Sequence, residues 1–456
     1  MRKDLDIRVT VKTTVAIVIV LAFCNTACRE KKRVAQGSRS LAAKLSSVPD
    51  RSPDPTRSDI DEQRVYLDAS ISMKGFVNEK KHSPFDDLIE GIGDDLPGCK
   101  LYKYGQRGSE APKSSAELIE LTTFGLELHR PGFYSLSYNP DDRLIGELAK
   151  EDRSVLSVLI SDGVYSEPKG STTPPVVEAI TSWINRGRVF GILVFKSSFN
   201  GPFYSERLRT ILPTLSVSSR PFYAFVFSPT ERGFRELEGK LRRRFPTIQS
   251  ILFSDESVSC SVDLDEHIKG IYSFAKPPSV PYYWQMFDVG LFAQKTPAEV
   301  GYHLRYILSP EYPATEFKAD VTPEFYRWDK GDFKKVEGAP SGFSIDVNPK
   351  KTNTGEKAPE EAAKQNKEAS PLPDFVVYYP KDSSSDYGFY RLRVNSSPKS
   401  LRQDIQDLST RDDGVRENAN KTFRIFELIT ALTDVHFKTR LAQRTSPEIF
   451  ATVANH

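Results

Sequence analysis

The stretch "RVYLDASISMKGF", residues 64–76, combines an apolar run with three closely spaced oxygen-bearing side chains. The run ends at Asp68, Ser70 and Ser72 follow at alternating positions, and Gly75 ends the pattern. An ordinary turn after a strand does not need two hydroxyls and a carboxylate together. The stretch therefore predicts a β-strand whose carboxyl end carries a binding site.

A second apolar run, "SVLSVLISDG" at 154–163, also ends in a carboxylate and a glycine, Asp162 and Gly163. Three more runs predict strands at 99–105, 188–198 and 222–229. Helices are predicted at 84–96, 140–150, 174–187, 205–212 and 230–245. This alternation indicates an α/β fold with a doubly wound, mostly parallel sheet, in which binding sites form at the carboxyl ends of the strands.

The two strand ends predict a divalent-metal site. Two neighbouring carboxylates, Asp68 and Asp162, repel each other unless a cation lies between them. Hard cations prefer oxygen ligands, and Mg²⁺ binds them at about 2.0–2.1 Å. Together with Ser70 and Ser72, these residues predict a site for Mg²⁺, with Mn²⁺ or Ca²⁺ as alternatives. The other interpretation is that the Asp and Ser side chains only stabilise turns.

"DASIS" after an apolar strand and "LISDG" further along the chain resemble the von Willebrand factor A domain family, over roughly residues 62–246. The resemblance implies a metal-ion-dependent adhesion site. In that site Ser70 and Ser72 would contact the ion directly, whereas Asp68 and Asp162 would hold it mainly through water.

The family also places a threonine in the loop before the helix that precedes the second motif. The corresponding loop here, "GFYSLSYNPDD" at 132–142, contains serines and no threonine. The resemblance therefore implies that Ser137 supplies the hydroxyl, with Ser135 as the second choice. Serine offers the same oxygen donor, but the substitution leaves the strength of the site open.

After Pro246 the chain consists of short aromatic and β-branched runs separated by turns. In "EFKADV" (316–321) and "YRLRV" (390–394), apolar and polar residues alternate, which predicts a β-rich domain over 247–456 that could be an Ig-like sandwich. Residues 349–373 are too polar to bury a core and are predicted to be a disordered insertion.

A C-terminal helix is predicted within 418–437. Apolar residues recur there at helical spacing: Phe423, Phe426, Ile429, Leu432 and Val435. The favoured interpretation is a helix that packs on its own domain, and the alternative is a helix that binds a partner.

The N-terminal residues 1–28 resemble a bacterial lipoprotein signal. Basic residues precede the uncharged run "TTVAIVIVLAF", which is about half as long as a membrane-spanning helix requires. Ala27 precedes Cys28, which is therefore predicted to be the lipidated first residue after cleavage; a plain cleaved signal or a short anchor are the alternatives. Residues 29–60 are polar and predict a flexible tether of roughly 30 Å mean span.

Composition argues against several classes of function. The 63 basic and 61 acidic residues nearly cancel, which argues against nucleic-acid binding. The six histidines show no zinc-binding spacing along the sequence, and neither a phosphate-binding glycine loop nor a Gly-x-Ser-x-Gly motif is present. Cys99 and Cys260 remain after the signal, and two cysteines do not establish a disulfide.

We therefore expect a lipid-anchored protein of the bacterial cell envelope, with a cleaved signal peptide, that is not an enzyme. Through its metal ion it would bind a protein partner that presents an acidic residue, and through its N-terminal lipid it would contact the membrane. One alternative is a scaffold lipoprotein of an envelope complex with a vestigial metal site. A second is a metal-dependent hydrolase, although neither a general base nor a substrate cleft is marked in the sequence.

Overall fold

The computed structural model describes residues 29, 32–46, 60–77, 82–105, 117–121, 126–136, 141–151, 154–164, 175–264, 271–272, 282–288, 298–347, 374–379 and 387–454. Three predictions lie outside these residues: the signal at 1–28 with Cys28, the hydroxyl ligand Ser137, and the disordered insertion at 349–373.

A seven-stranded sheet forms the first region. Its strands are β1 Glu62–Asp68, β2 Lys100–Gly105, β3 Glu117–Leu121, β4 Val155–Ser161, β5 Val189–Ser205, β6 Thr210–Ser228 and β7 Gln249–Phe253, in the order β3-β2-β1-β4-β6-β5-β7. β1 is parallel to β2 and β4, and β5 runs in the same direction because β6 is antiparallel to both β4 and β5. The sheet is therefore mixed, with a parallel centre. Because β7 pairs with β5, the α/β region extends beyond the predicted boundary at residue 246.

Helices cover both faces of this sheet. They are α2 Pro84–Asp95, α3 Asp141–Leu148, α4 Pro175–Asn185 and α5 Glu231–Arg244. In β1, Val65 and Leu67 belong to the core under α2 and α5, whereas Tyr66 belongs to the core under α3 and α4. Successive side chains of a strand point to opposite faces, so the continuous apolar runs reflect strands that are buried on both sides. No helix in the described part of the chain is long and apolar enough to cross a membrane.

The helix predicted at 205–212 is wrong. β5 ends at Ser205 and β6 begins at Thr210, so this segment is the tip of a long hairpin. Leu208 and Ile211 are about half exposed, at 50% and 51%, and their helix-like spacing does not mark a buried helix face.

The second region is β-rich, as predicted, and contains two sheets. A six-stranded sheet has the order β13-β12-β16-β19-β10-β9 and a four-stranded sheet has the order β14-β15-β11-β8. The strands are β8 Val258–Leu264, β9 Ile271–Tyr272, β10 Tyr282–Asp288, β11 Ala298–Leu308, β12 Ala314–Asp329, β13 Asp332–Val336, β14 Ser344–Val347, β15 Asp374–Tyr379, β16 Tyr387–Leu401 and β19 Glu448–Ala454. One hydrophobic core joins both sheets, with Tyr302 and Phe375 from the smaller sheet and Leu392 and Ile449 from the larger.

Residues 32–45 form a helix, α1, and the flexible tether predicted at 29–60 is therefore wrong in this part. Val34 and Ala42 are fully buried in one cluster with Phe389 and Phe450 of the six-stranded sheet. Ser38 accepts a hydrogen bond from the Thr452 hydroxyl at 2.8 Å. A few small apolar residues on one face are enough to dock an otherwise polar helix.

The predicted C-terminal helix is present as α7, Ile425–His436, and continues through a π-helical turn, Phe437–Leu441, into α8, Ala442–Thr445. Ile429 and Leu432 are buried in one core with Trp183 of α4. The helix thus joins the two regions instead of packing only on its own domain. The chain then forms β19, which the sequence interpretation missed and which lies inside the six-stranded sheet.

The short elements α6 Gln403–Gln406, β17 Ser409–Thr410 and β18 Thr422–Phe423 precede α7. Their segment contacts the tip of the β5–β6 hairpin, where Asp413 accepts hydrogen bonds from Ser205 Oγ and from the Glu206 backbone N–H, both at 2.8 Å. Cys99 in the first region and Cys260 in the second are both free thiols. Burial raises the pKa of Cys260 to about 12.

Candidate functional site

The carboxyl ends of β1 and β4 lie side by side. The two strands are parallel, and Leu67 is in register with Ile160. The next residues along each strand are Asp68 and Ser161, so Asp68 and Asp162 follow neighbouring strands at the same edge of the sheet. This is the arrangement that the sequence predicted for the two strand ends.

Asp68 is the centre of a hydrogen-bonded group. Its carboxylate is fully buried and accepts a hydrogen bond from the Ser70 backbone N–H at 2.7 Å and one from Ser161 Oγ at 3.4 Å. The hydroxyl oxygens of Ser70 and Ser72 are 2.9 Å apart. The structure therefore brings together Asp68, Ser70 and Ser72 with Ser161, which the sequence interpretation did not include.

Asp162 is held by the turn that follows β4. It is buried, and its Oδ1 accepts a hydrogen bond from the Val164 backbone N–H at 3.3 Å. Gly163 has φ +66°, and a Cβ at this position would lie only 2.3 Å from the Tyr223 ring. The turn therefore requires glycine both for its conformation and for its contact with Tyr223.

The middle loop lies against the segment that follows β1. The Leu136 backbone N–H donates to Ala69 O at 3.1 Å, and the Ile71 N–H donates to Leu136 O at 2.9 Å. Ser135 is exposed, and Leu136 is buried. The loop that carries the predicted hydroxyl ligand is thus anchored beside Ser70.

A buried arginine lies near Asp162. Arg220 is 2% exposed, lies over the Phe203 ring at 4.4 Å and donates a hydrogen bond to Ala419 O at 2.7 Å. Burial lowers the pKa of the Arg220 guanidinium, and the carboxylate of Asp162 opposes this effect. Arg220 therefore offsets part of the negative charge at this edge of the sheet.

The oxygen atoms at these strand ends are of the type that a hard divalent cation prefers. Asp68, Ser70, Ser72 and Asp162 offer carboxylate and hydroxyl oxygens, which Mg²⁺ and Ca²⁺ prefer. The burial of both carboxylates strengthens their attraction to a cation, because charges are screened less away from water. The internal hydrogen bonds of Asp68 and the charge of Arg220 also stabilise the group without an ion.

Ser161 and Arg220 were not predicted as part of the site, but the sequence contains an indication of each. Ser161 precedes Asp162 in "LISDG", and pairing β4 with β1 would have placed it opposite Asp68. Arg220 is the one charged residue in "SVSSRPFYAFVFS", 216–228, and a lone charge beside a buried run marks a specific partner.

None of the family models, curated proteins or solved structures compared with the chain matches it. The resemblance to the von Willebrand factor A family thus stays a prediction that depends on the two motifs and on the strand ends that carry them.

Proposed function

We propose that the protein is an envelope-anchored binding protein that engages a protein partner through a divalent cation at the carboxyl edge of the seven-stranded sheet. The observation that carries this proposal is the adjacency of Asp68 and the Ser161–Asp162 pair at the ends of two parallel strands. We also propose that the α/β region is a von Willebrand factor A-like domain and that the β-rich region is an Ig-like sandwich.

The proposed ion is Mg²⁺, with Mn²⁺ and Ca²⁺ as alternatives. Ser70 and Ser72 would bind it directly, Asp68 and Asp162 would hold it mainly through water, and Ser137 would add a hydroxyl from the middle loop. When bound, the cation supplies a coordination position that a carboxylate of the partner can occupy. An acidic side chain of the partner would therefore form its main contact with the ion and not with the protein.

The N-terminal features supply the rest of the proposal. We propose that the signal at 1–28 is cleaved and that Cys28 carries lipid, which places the protein at the bacterial cell envelope. Metabolic labelling with palmitate tests this step separately, because a Cys28→Ser variant would lose the label while its cation site stays intact.

A scaffold lipoprotein with a vestigial cation site is the second candidate function. It is favoured by the hydrogen bonds that Asp68 already accepts and by the buried Arg220 near Asp162. The hydrogen bonds would hold the strand ends together, and the charge of Arg220 would offset that of Asp162, with no ion present. In this alternative, complex formation would not depend on Asp68.

The deciding experiment purifies the full chain from membranes with its partners, with a chelator present or absent. We expect that the wild-type protein loses its partner when the chelator is present and binds it again when Mg²⁺ is added back. The Asp68→Ala variant should not co-purify with this partner. Glu236→Ala is a matched control, because Glu236 is an exposed acid on α5 whose side chain is 57% exposed. A complex that survives both Asp68→Ala and the chelator would establish the scaffold function instead.

A further inference from the structure

We propose that a zinc ion binds on the outer face of α2, held by His82, Asp87, Glu90 and His129. This second site does not depend on the cation proposed at Asp68. Two imidazoles and two carboxylates form a ligand set that zinc accepts in tetrahedral sites. The two negative charges of the carboxylates balance the charge of Zn²⁺.

The start of α2 fixes most of these ligands. Ser83 caps the helix: its hydroxyl accepts from the Asp86 N–H at 3.2 Å, and its own N–H donates to Asp86 Oδ2 at 3.1 Å. His82 directly precedes this cap. Asp87 and Glu90 are three residues apart, so they lie next to each other on one face of the helix.

Three of the four proposed ligands, His82, Asp87 and Glu90, have ligand atoms within 4.8 Å of one another, and His129 lies against Glu90. His82 Nδ1 lies 3.8 Å from Asp87 Oδ1 and 3.9 Å from Glu90 Oε2. His129 Nε2 lies 3.3 Å from the other carboxylate oxygen of Glu90, Oε1. Bonds of about 2.0–2.1 Å in a tetrahedron separate the ligand atoms by about 3.3–3.4 Å. Because the side chains of His82 and Glu90 are 76% and 44% exposed, their rotation can bring the four ligand atoms to this spacing.

A buried carboxylate oxygen points into this group. The side chain of Asp86 is 3% exposed, and its Oδ1 has no hydrogen-bond partner among the described residues. This oxygen faces His129 Nδ1 at 3.5 Å. An unsatisfied buried acceptor is costly, which calls for an explanation of its position.

A zinc ion bound by His129 would explain why the Oδ1 atom of Asp86 lies at this position. A histidine bound to a metal usually donates its other ring N–H to a carboxylate. With Nδ1–H of His129 directed at Asp86, the lone pair of Nε2 faces Glu90 and the proposed ion. Asp86 is then a positioning residue, because it orients His129 without binding the metal.

The competing account is a doubly protonated His129 paired with both Asp86 and Glu90. It fits the same distances and needs no metal. The two accounts differ in whether the group binds zinc at neutral pH.

The test uses the full chain in detergent, stripped of metal and then titrated with Zn²⁺ by calorimetry and with Co²⁺ by visible absorption. We expect one zinc ion to bind at this group, and Co²⁺ to give the bands of a four-coordinate nitrogen and oxygen site without thiolate charge transfer. His129→Asn and His82→Asn should each weaken zinc binding at least about tenfold. His303→Asn, on the distant strand β11, is the matched control and should bind as the wild type does.

Two further variants make the outcome specific. Asp86→Asn should lower zinc affinity by about 10–100-fold with an unchanged circular dichroism spectrum, whereas a purely structural role would leave the zinc affinity of the folded protein unchanged. Asp68→Ala should keep the zinc site, so failure of the Mg²⁺ proposal and failure of the zinc proposal are distinguishable. Absence of zinc binding to the wild type, or wild-type affinity in both His82→Asn and His129→Asn, would overturn the proposal.

Discussion

The α/β region carries two groups that differ in almost every property relevant to a cation. At the end of β1, Asp68 is buried and surrounded by oxygen donors that hydrogen-bond with one another. At the start of α2, His82 and Glu90 are exposed, and imidazole nitrogens alternate with carboxylate oxygens. The first group suits a hard ion and is partly satisfied without one, whereas the second suits zinc and leaves a buried acceptor unsatisfied. Ligand chemistry and hydrogen-bond satisfaction are thus separate criteria for a metal site.

The strongest test of this contrast is Asp68→Asn, which keeps the size of the side chain but removes its charge. We expect Mg²⁺ and the partner to bind at least about 100-fold more weakly, which corresponds to ~2.8 kcal/mol, with zinc affinity unchanged. Calorimetric titration with each metal measures both effects. Equal losses of Mg²⁺ and Zn²⁺ binding would show that the two groups are not independent.

The second test concerns Arg220, which lies near Asp162 in the first of the two groups. Arg220→Met removes a buried charge and its hydrogen bond to Ala419 O, and we expect the free energy of unfolding in urea to fall by about 2–3 kcal/mol. Arg232→Met, at a position whose side chain is 85% exposed, should change it by less than about 0.5 kcal/mol. If the two variants were equally stable, the bond from Arg220 to Ala419 O would not stabilise the contact between the β5–β6 hairpin and the segment between β17 and β18.

A buried histidine, His436, should make the stability of the protein depend on pH. Burial lowers the pKa of His436 to about 3, and neither ring nitrogen has a hydrogen-bond partner among the described residues. Below pH 6.5 the unfolded chain binds a proton at His436 that the folded chain does not, until the pH approaches 3. The contribution of His436 to the free energy of unfolding is therefore fully present above pH 6.5. It decreases as the pH falls towards 3, by up to about 1.4 kcal/mol per pH unit.

His436→Phe should remove this loss. We expect urea unfolding at pH 6 and pH 4 to differ less in the variant than in the wild type, while His303→Gln keeps the wild-type difference. An unchanged difference in His436→Phe would assign the acid sensitivity to other groups.

The smallest effect is expected for a single hydroxyl. Ser72→Ala removes one of the two hydroxyls that lie 2.9 Å apart, and should weaken Mg²⁺ binding about tenfold because the other donors remain. Ser216→Ala, at an exposed position of β6, provides the control for titration by calorimetry. An affinity for Mg²⁺ equal to that of the control would exclude Ser72 as a direct ligand.

The sequence predicts best the elements that are buried on both faces. The runs that form β1 and β4 are continuous and apolar, so sequence pattern alone places their ends, and with them Asp68 and Asp162, at one edge of the sheet. The hairpin tip at 205–212 is predicted as a helix because Leu208 and Ile211 mimic helical spacing, and only the pairing of β5 with β6 decides otherwise.

Tertiary contacts decide the features that the sequence did not predict. In α1, Val34, Ser38, Leu41 and Leu45 follow helical spacing, but the charged residues around them suggested a tether. His82 and His129 are far apart in sequence, so spacing along the chain gave no sign that both contact Glu90. A search for ligand spacing detects sites within one element, whereas sites assembled from a helix and a distant loop require the fold.

The docking of α1 on the six-stranded sheet changes how the protein would stand on a bilayer. Only residues 29–31 separate Cys28 from this helix, and three extended residues reach about 10 Å at most. If Cys28 carries the lipid, the β-rich region is held directly at the headgroups. The β-rich region would then lie next to the membrane, and no long flexible linker would separate the protein from the bilayer surface.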